Sequence, residues 1–176
     1  MTTTLASVDF ATSVGIPILV SAATAVITAV ITMAVTRAND SVNRRRDRYA
    51  QAVQALVAWV EFSYRVRRRT DDRPETLSAL ATLAHDLQES LACHQAWIAT
   101  EHPALATTYE RTRRTVTAAV GPAVAEAWTT PPVTSAAGMN LGEWGPAAAA
   151  AAPIAALQHA IENRFGLRRY RTALGR

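Results

Sequence analysis

The sequence predicts an all-α protein: a single N-terminal transmembrane helix followed by a small antiparallel helical bundle in the cytoplasm. Positions 10–36, between Asp9 and Arg37, contain no charged residue. Beyond them, apolar residues recur three and four apart, which is the period of a helix. No segment alternates apolar and polar residues as a half-buried sheet strand does. With 176 residues, the chain has room for an anchor and one small domain.

Residues 1–10 are predicted to be a short extracytoplasmic segment and residues 11–36 the transmembrane helix, because roughly 20 apolar residues cross a hydrocarbon core of about 30 Å. Only Asp9 precedes this span, whereas five arginines follow it between Arg37 and Arg48. The positive-inside rule therefore predicts an outer N-terminus and a cytoplasmic C-terminus in the inner (plasma) membrane. A secretory signal peptide would carry its charge before the apolar run. The alternative is a core helix buried on all sides.

Small and hydroxyl side chains recur every four residues within the span. This spacing lets two helices approach closely and form hydrogen bonds, so we predict a homo-oligomer, with chance in an Ala-rich sequence as the alternative. The span has no ionisable residue that would mark an ion path or a proton relay. The self-association candidates are Ser21, Ala25, Ala29, Thr24, Thr28 and Thr32.

Residues 37–128 are predicted to form the cytoplasmic helical hairpins. The cap residues Asn39, Asp40 and Ser41 predict a break or bend near position 40, followed by a helix to about residue 68. Its apolar arc is about 220° wide, which predicts either a central position in the bundle or a partner surface containing Trp59 and Phe62. Prolines preceded by acidic residues predict further helices starting near residues 74 and 103.

The last part of the chain is predicted from its turn residues. Gly121 and Pro122 predict a kink or an end of the third long helix before Trp128. Residues 129–146 contain Pro, Gly and Thr and are predicted to be an irregular loop, with Trp144 as a candidate partner contact. Residues 147–166 are predicted to form a shorter C-terminal helix that includes six alanines, and residues 167–176 a basic tail. The short connections favour antiparallel neighbours.

All 18 basic residues are Arg, and they outnumber the 14 acidic residues to give a net charge of +4. This usage, with 37 Ala, indicates a GC-rich bacterial genome. Antiparallel connectivity would return the C-terminal arginines to the level of those after the anchor, so we predict a surface for anionic lipid; a solvated basic tail is the alternative. The lipid-contact candidates are Arg44, Arg45, Arg46, Arg48, Arg164, Arg168, Arg169 and Arg171.

A second group of arginines lies between Arg65 and Arg73, too far along the chain to reach the same lipid surface from an upright helix. Its predicted role is to compensate the negative end of one helix opposite the acids that open the next. A docking surface for an acidic partner is the alternative. Nucleic acid is not an expected partner, because the chain has no recognisable reading motif.

The sequence contains few residues in patterns that indicate catalysis or the binding of a metal or cofactor. A single cysteine, Cys93, cannot form an internal disulfide, which fits a reducing compartment. The four histidines do not share a metal-ligand spacing, and phosphate-loop and nucleophile motifs are missing, so we predict no catalytic residue, metal or cofactor. The leading hypothesis is a non-enzymatic, membrane-anchored interaction or scaffold protein with an unidentified protein partner. The alternatives are a self-assembling effector that perturbs the bilayer and a cryptic enzyme using His85 and Glu89.

Overall fold

The computed structural model describes residues 8–165, with side chains at positions 32, 33, 36, 37 and 40–165. This part of the chain is all-α and contains no strand, which confirms the all-α part of the predicted fold class. Its helices are α1 (Val8–Arg67), α2 (Pro74–Glu101), α3 (Pro103–Thr129) and α4 (Ala147–Phe165), with a 3-10 turn at Ala136–Met139. The backbone divides into two compact units, one ending at Arg45 and a second, here called the helical unit, beginning at Arg46.

α1 is not broken near residue 40, which was one of the two predicted outcomes, because it continues through Asn39, Asp40 and Ser41. These residues cap a helix only where the backbone already departs from helical geometry. Within a helix, each costs at most about 0.7 kcal/mol relative to Ala. Extending an existing helix is far cheaper than nucleating a new one, so this cost does not interrupt α1.

The core of the helical unit is organised around α1 between Tyr49 and Val66. Nine of the eighteen buried core residues in the described part of the chain lie on this stretch. The polar side chains on the opposite side of this stretch, from Gln51 to Arg68, are exposed. Most of the wide apolar arc is therefore covered within the same unit, with Val57, 43% exposed, as an exception. Each fully buried side chain such as Leu56 contributes about 1.5–3 kcal/mol.

The junctions before α2 and α3 use the predicted start residues. Asp71 Oδ1 accepts hydrogen bonds from Arg73 N at 3.1 Å and from Thr76 Oγ1 at 2.6 Å, beside Pro74 in the first turn of α2. His102 caps α3, because its Nδ1 accepts from Leu105 N at 3.2 Å. That bond satisfies one of the donors that a helix start leaves free, and α3 then packs against both α2 and α4.

One of the two predicted outcomes at Gly121 and Pro122 was an end of α3 before Trp128. The helix instead continues to Thr129. Pro122 removes one backbone donor. However, Val116 and Val120 before it and Ala127 after it are all buried on one face. Packing of that face on both sides of the proline keeps the backbone helical.

The segment between α3 and α4 is irregular, as predicted, but it is fixed at several points. Val133 N donates to Arg69 O at 2.8 Å, and Arg68 Nε donates to Met139 O at 3.0 Å. Farther on, Ala147 N donates to the Tyr64 hydroxyl at 3.3 Å. The alanines at 147–152 belong to α4, and the helix continues through Pro153.

Candidate functional site

Three aromatic rings meet at one end of the helical unit, where α1 enters it and α2 and α4 finish. Tyr49 lies edge-on to Trp97, with ring centroids 4.9 Å apart, and edge-on to Phe165, with centroids 5.5 Å apart. Tyr49 is buried, whereas Trp97 and Phe165 are half-buried. We call these three residues the aromatic cluster. Edge-to-face pairs of this kind add about 0.5–1.5 kcal/mol each beyond their buried area.

Arginine side chains cover the aromatic cluster on its outer side. The guanidinium carbon of Arg46 lies 5.7 Å from the Phe165 ring centroid, and that of Arg164 lies 5.9 Å from the same ring. Arg48 lies 5.4 Å from the Trp97 ring. Each contact is within cation–π range. A guanidinium that lies over a ring still has further N–H groups that can bind a phosphate or carboxylate.

The structure brings together two groups of predicted lipid-contact arginines within the helical unit. Arg46 from the start of the unit and Arg164 from the end of α4 share the Phe165 ring, and Arg46 Nη2 also donates to Phe165 O at 3.2 Å. Arg44 and Arg45 are exposed. The other predicted contacts, Arg168, Arg169 and Arg171, lie outside the described residues, as does the basic tail 167–176.

The predicted transmembrane segment falls largely on residues whose side chains are not described. Residues 11–36 lie within α1. In the part of the chain with described side chains, no helix is both long and apolar enough to cross a membrane. Of the self-association candidates, Thr32 is exposed. The side chains of the other five, Ser21, Thr24, Ala25, Thr28 and Ala29, lie outside the described residues.

The predicted partner-contact aromatics lie in or against the core. Trp59 is 7% exposed and Phe62 2% exposed, and their rings stack with centroids 5.6 Å apart. Trp144 is half-buried: its ring lies edge-on to Tyr64 at 5.5 Å, and its Nε1 donates to Glu126 Oε1 at 2.9 Å. The rings of Trp59 and Phe62 are therefore not part of the exposed surface of the unit.

A buried arginine joins the helix ends at the opposite end of the unit. Arg69 is 6% exposed and follows the last turn of α1. Its guanidinium donates to Ala127 O and Thr130 O at 2.7 Å each, and to Val66 O at 3.3 Å. Its Nε also pairs with Asp72 at 2.6 Å. The prediction that the Arg65–Arg73 group compensates a helix end beside acidic residues is confirmed for Arg69, which also joins α3.

An open groove runs between α1 and α4 next to the aromatic cluster, with a volume of about 280 Å³. Its floor is apolar and its rim is polar. We call it the α1–α4 groove, and it is lined by Arg46, Tyr49, Ala50, Val53, Gln158, Ile161 and Glu162. Sequence reasoning missed it, because the pairing of α1 with α4 depends on tertiary packing.

The residues considered for enzymatic chemistry do not converge. His85 and Glu89 are both exposed on α2, and Cys93 is exposed. Burial lowers the pKa of His94, which favours the neutral imidazole of a packed side chain. Among the described residues, no group of three or more His, Cys, Asp or Glu side chains could hold a metal ion.

Comparisons with protein-family models, with curated proteins and with solved structures find no match. The class of protein rests on the fold and the site alone. The described chain is an all-α protein whose helical unit carries an arginine-covered aromatic cluster at one end and a buried arginine node at the other.

Proposed function

We propose that this protein is a non-enzymatic scaffold anchored in the plasma membrane by residues 11–36, with its N-terminus outside. The helical unit lies in the cytoplasm and rests the arginine-covered aromatic cluster on the anionic inner leaflet. The observation that supports this proposal is the position of the Arg46, Arg48 and Arg164 guanidinium groups over the rings of Trp97 and Phe165. Aromatic rings with adjacent cationic side chains are typical of a membrane–water interface.

The expected strength of this contact is moderate. A basic side chain close to an anionic leaflet contributes about 1 kcal/mol, so three arginines contribute about 3 kcal/mol. That corresponds to roughly a hundredfold in surface occupancy. Such a contact orients a unit that is already anchored, and it weakens as ionic strength rises.

The native cysteine provides a test of the orientation. Cys93 is exposed on α2, so an impermeant thiol reagent should label it in lysed cells but not in intact cells. In a Cys93→Ser background, Leu5→Cys should show labelling of intact cells. Labelling of Cys93 from outside intact cells would contradict the proposed orientation.

The lipid contact can be tested with the full chain in nanodiscs containing brominated lipid, which quenches tryptophan at short range. Trp97 belongs to the aromatic cluster and packs on Tyr49, whereas Trp144 packs on Tyr64. Tyr64 lies fifteen residues after Tyr49 on α1, which is a distance of about 22 Å along the helix. Brominated phosphatidylglycerol should quench more fluorescence than brominated phosphatidylcholine. Trp97→Phe should abolish the difference, whereas Trp144→Phe should keep it. Equal quenching by both lipids would reject the anionic contact.

A further inference from the structure

A second groove of the helical unit lies between α2 and α3, and all of its lining residues come from these two helices. Gln95 and Ala99 line it from α2, and Ala106 is among the residues that line it from α3. Its volume is about 530 Å³, which is within the range of about 300–1,000 Å³ for sites that hold small molecules. We call it the α2–α3 groove.

Two arginines of α3 line this groove. Arg111 and Arg114 are three residues apart, and Thr107 lies one turn before Arg111. Residues at this spacing share one face of a helix. Both arginines are exposed. Among the residues that the structure describes, Arg111 has no hydrogen-bond or ion-pair partner. Its guanidinium group is therefore available to a ligand.

Glu110 is the one acidic residue that lines the groove, and two arginines compensate it. Its carboxylate accepts two hydrogen bonds from Arg113 at 3.1 Å each and one from Arg114 at 3.2 Å. Hydrogen bonding by Arg113 holds the pKa of Glu110 below its usual value, so the group remains a carboxylate. Three arginines and one carboxylate leave a net charge of +2 on this part of α3.

The other acidic residues of these two helices do not offset this charge. On α2, the acids nearest in sequence are turned at least about 80° around the helix from both Gln95 and Ala99. These acids are Asp86, Glu89 and Glu101. On α3, Glu126 follows Glu110 by 16 residues, which is about 24 Å along the helix. The wall that α2 contributes is therefore uncharged, and the wall that α3 contributes is positive.

We infer that the α2–α3 groove is a binding site for a phosphomonoester. Such a group carries a charge of about −1.5 to −2 at neutral pH and three strong acceptor oxygens. It therefore matches the net charge of the groove, and it can accept charge-assisted hydrogen bonds from Arg111 and Arg114 together. The amide of Gln95 and the hydroxyl of Thr107 add neutral polar groups, and the remaining volume holds the organic part of the ligand.

The phosphate group has two possible sources, a soluble compound and a lipid headgroup such as that of phosphatidic acid. The groove lies at the same end of the helical unit as the aromatic cluster, because Gln95 and Ala99 lie two residues on either side of Trp97. A headgroup therefore reaches it if that end rests on a membrane. The site itself is built from α2 and α3, so the inference does not depend on the membrane anchorage in the proposed function.

Isothermal titration of the full chain in mild detergent with glycerol phosphate tests the site, with glycerol as the uncharged control. Arg111→Gln and Arg114→Gln should each weaken binding about tenfold, because each removes charge-assisted hydrogen bonds. Arg65→Gln is the matched control, since Arg65 is also exposed but lies on α1, and it should leave the affinity unchanged. Glu110→Gln should tighten binding, because it removes the negative charge from the groove.

Three results would overturn the inference. The first is the absence of glycerol phosphate binding by the wild-type chain. The second is an affinity that Arg111→Gln and Arg114→Gln leave unchanged or that Arg65→Gln lowers equally. The third is weaker binding by Glu110→Gln, which would mean that the carboxylate takes part in the site. Circular dichroism of each variant checks that the helices are intact.

The same titration in nanodiscs distinguishes the two sources of phosphate. The nanodiscs contain phosphatidylcholine with either phosphatidic acid or phosphatidylglycerol, adjusted to equal surface charge. Weaker binding of glycerol phosphate only with phosphatidic acid would assign the groove to a lipid headgroup, because phosphatidylglycerol has no phosphomonoester. Equal binding with both lipids would assign it to a soluble phosphate compound. The titration in detergent is independent of the topology labelling and of the Trp97 quenching, so the two proposals can fail separately.

Discussion

Replacing Arg69 with Ala should destabilise the helical unit more than any other single charge deletion among the residues described above. The side chain is buried and makes two 2.7 Å bonds, to Ala127 O and Thr130 O, at the end of α3. Hydrogen bonds to a charged donor contribute about 1.5–3 kcal/mol each. Their loss also leaves buried carbonyls unpaired. We expect a loss of about 4 kcal/mol, out of a typical total of 5–15 kcal/mol.

Two further variants separate the contributions at this node. Arg69→Lys keeps the charge, but an ammonium group donates from one nitrogen and cannot reach Val66 O and Thr130 O together, so the expected loss is about 2 kcal/mol. Asp72→Ala removes the ion-pair partner, whose side chain is 52% exposed. That loss should stay below about 1 kcal/mol, because exposed ion pairs contribute little.

The assay is urea unfolding of the full chain in mild detergent, followed by far-UV circular dichroism and tryptophan fluorescence. Amide exchange adds a local readout, because Val133 N donates to Arg69 O and its protection reports on the node. The reasoning would be refuted if Arg69→Ala cost less than about 1 kcal/mol. It would also be refuted if Asp72→Ala cost as much as Arg69→Ala.

Two further predictions concern acid stability and a turn. Hydrogen bonding by Arg73 holds the pKa of Asp71 well below its usual range, so the stabilisation is present above about pH 4 and lost as pH falls through the lowered pKa. The thermal midpoints of wild type and Asp71→Asn should therefore converge as pH falls from about 5 to about 2. Gly145 has φ +113°, and an added Cβ would lie 2.5 Å from the Tyr64 ring, so Gly145→Ala should cost about 2–3 kcal/mol in urea unfolding. Its control Gly121→Ala, with open space in α3, should instead stabilise by about 0.5–1 kcal/mol.

The sequence predicts the elements of this fold better than their ends. Local signals sufficed at the start of α2, where Asp71 and Pro74 set the first turn. They did not end a helix at Asp40 or at Pro122, which both lie inside helices. A cap residue or a proline shifts the local free energy by up to a few kcal/mol. Whether the helix ends there depends on the burial of the neighbouring turns, which a single sequence does not reveal.

The candidate site was predictable in part. The periodicity of the helices and the antiparallel connections predicted that Arg46 and Arg164 would come to one end, and both lie at the Phe165 ring. The aromatic cluster was not predicted, because Tyr49 and Trp97 are 48 residues apart in the sequence and appeared as separate core positions. The α1–α4 groove was missed for the same reason, since its charges come from two helices whose pairing follows from tertiary packing.

The exclusive use of arginine has two explanations that apply at different positions. The GC-rich genome predicted from the composition would account for exposed side chains such as Arg65 and Arg111, where a lysine would serve equally well. It does not suffice at Arg69, whose planar guanidinium reaches acceptors on α1, on α3 and in the following loop at once. Nor does it suffice where Arg48 lies over Trp97, because a guanidinium can stack by its face and still present its N–H edge. Replacing each arginine with lysine should therefore separate the two groups. Arg65→Lys and Arg111→Lys should leave the free energy of unfolding unchanged, whereas Arg69→Lys should lower it.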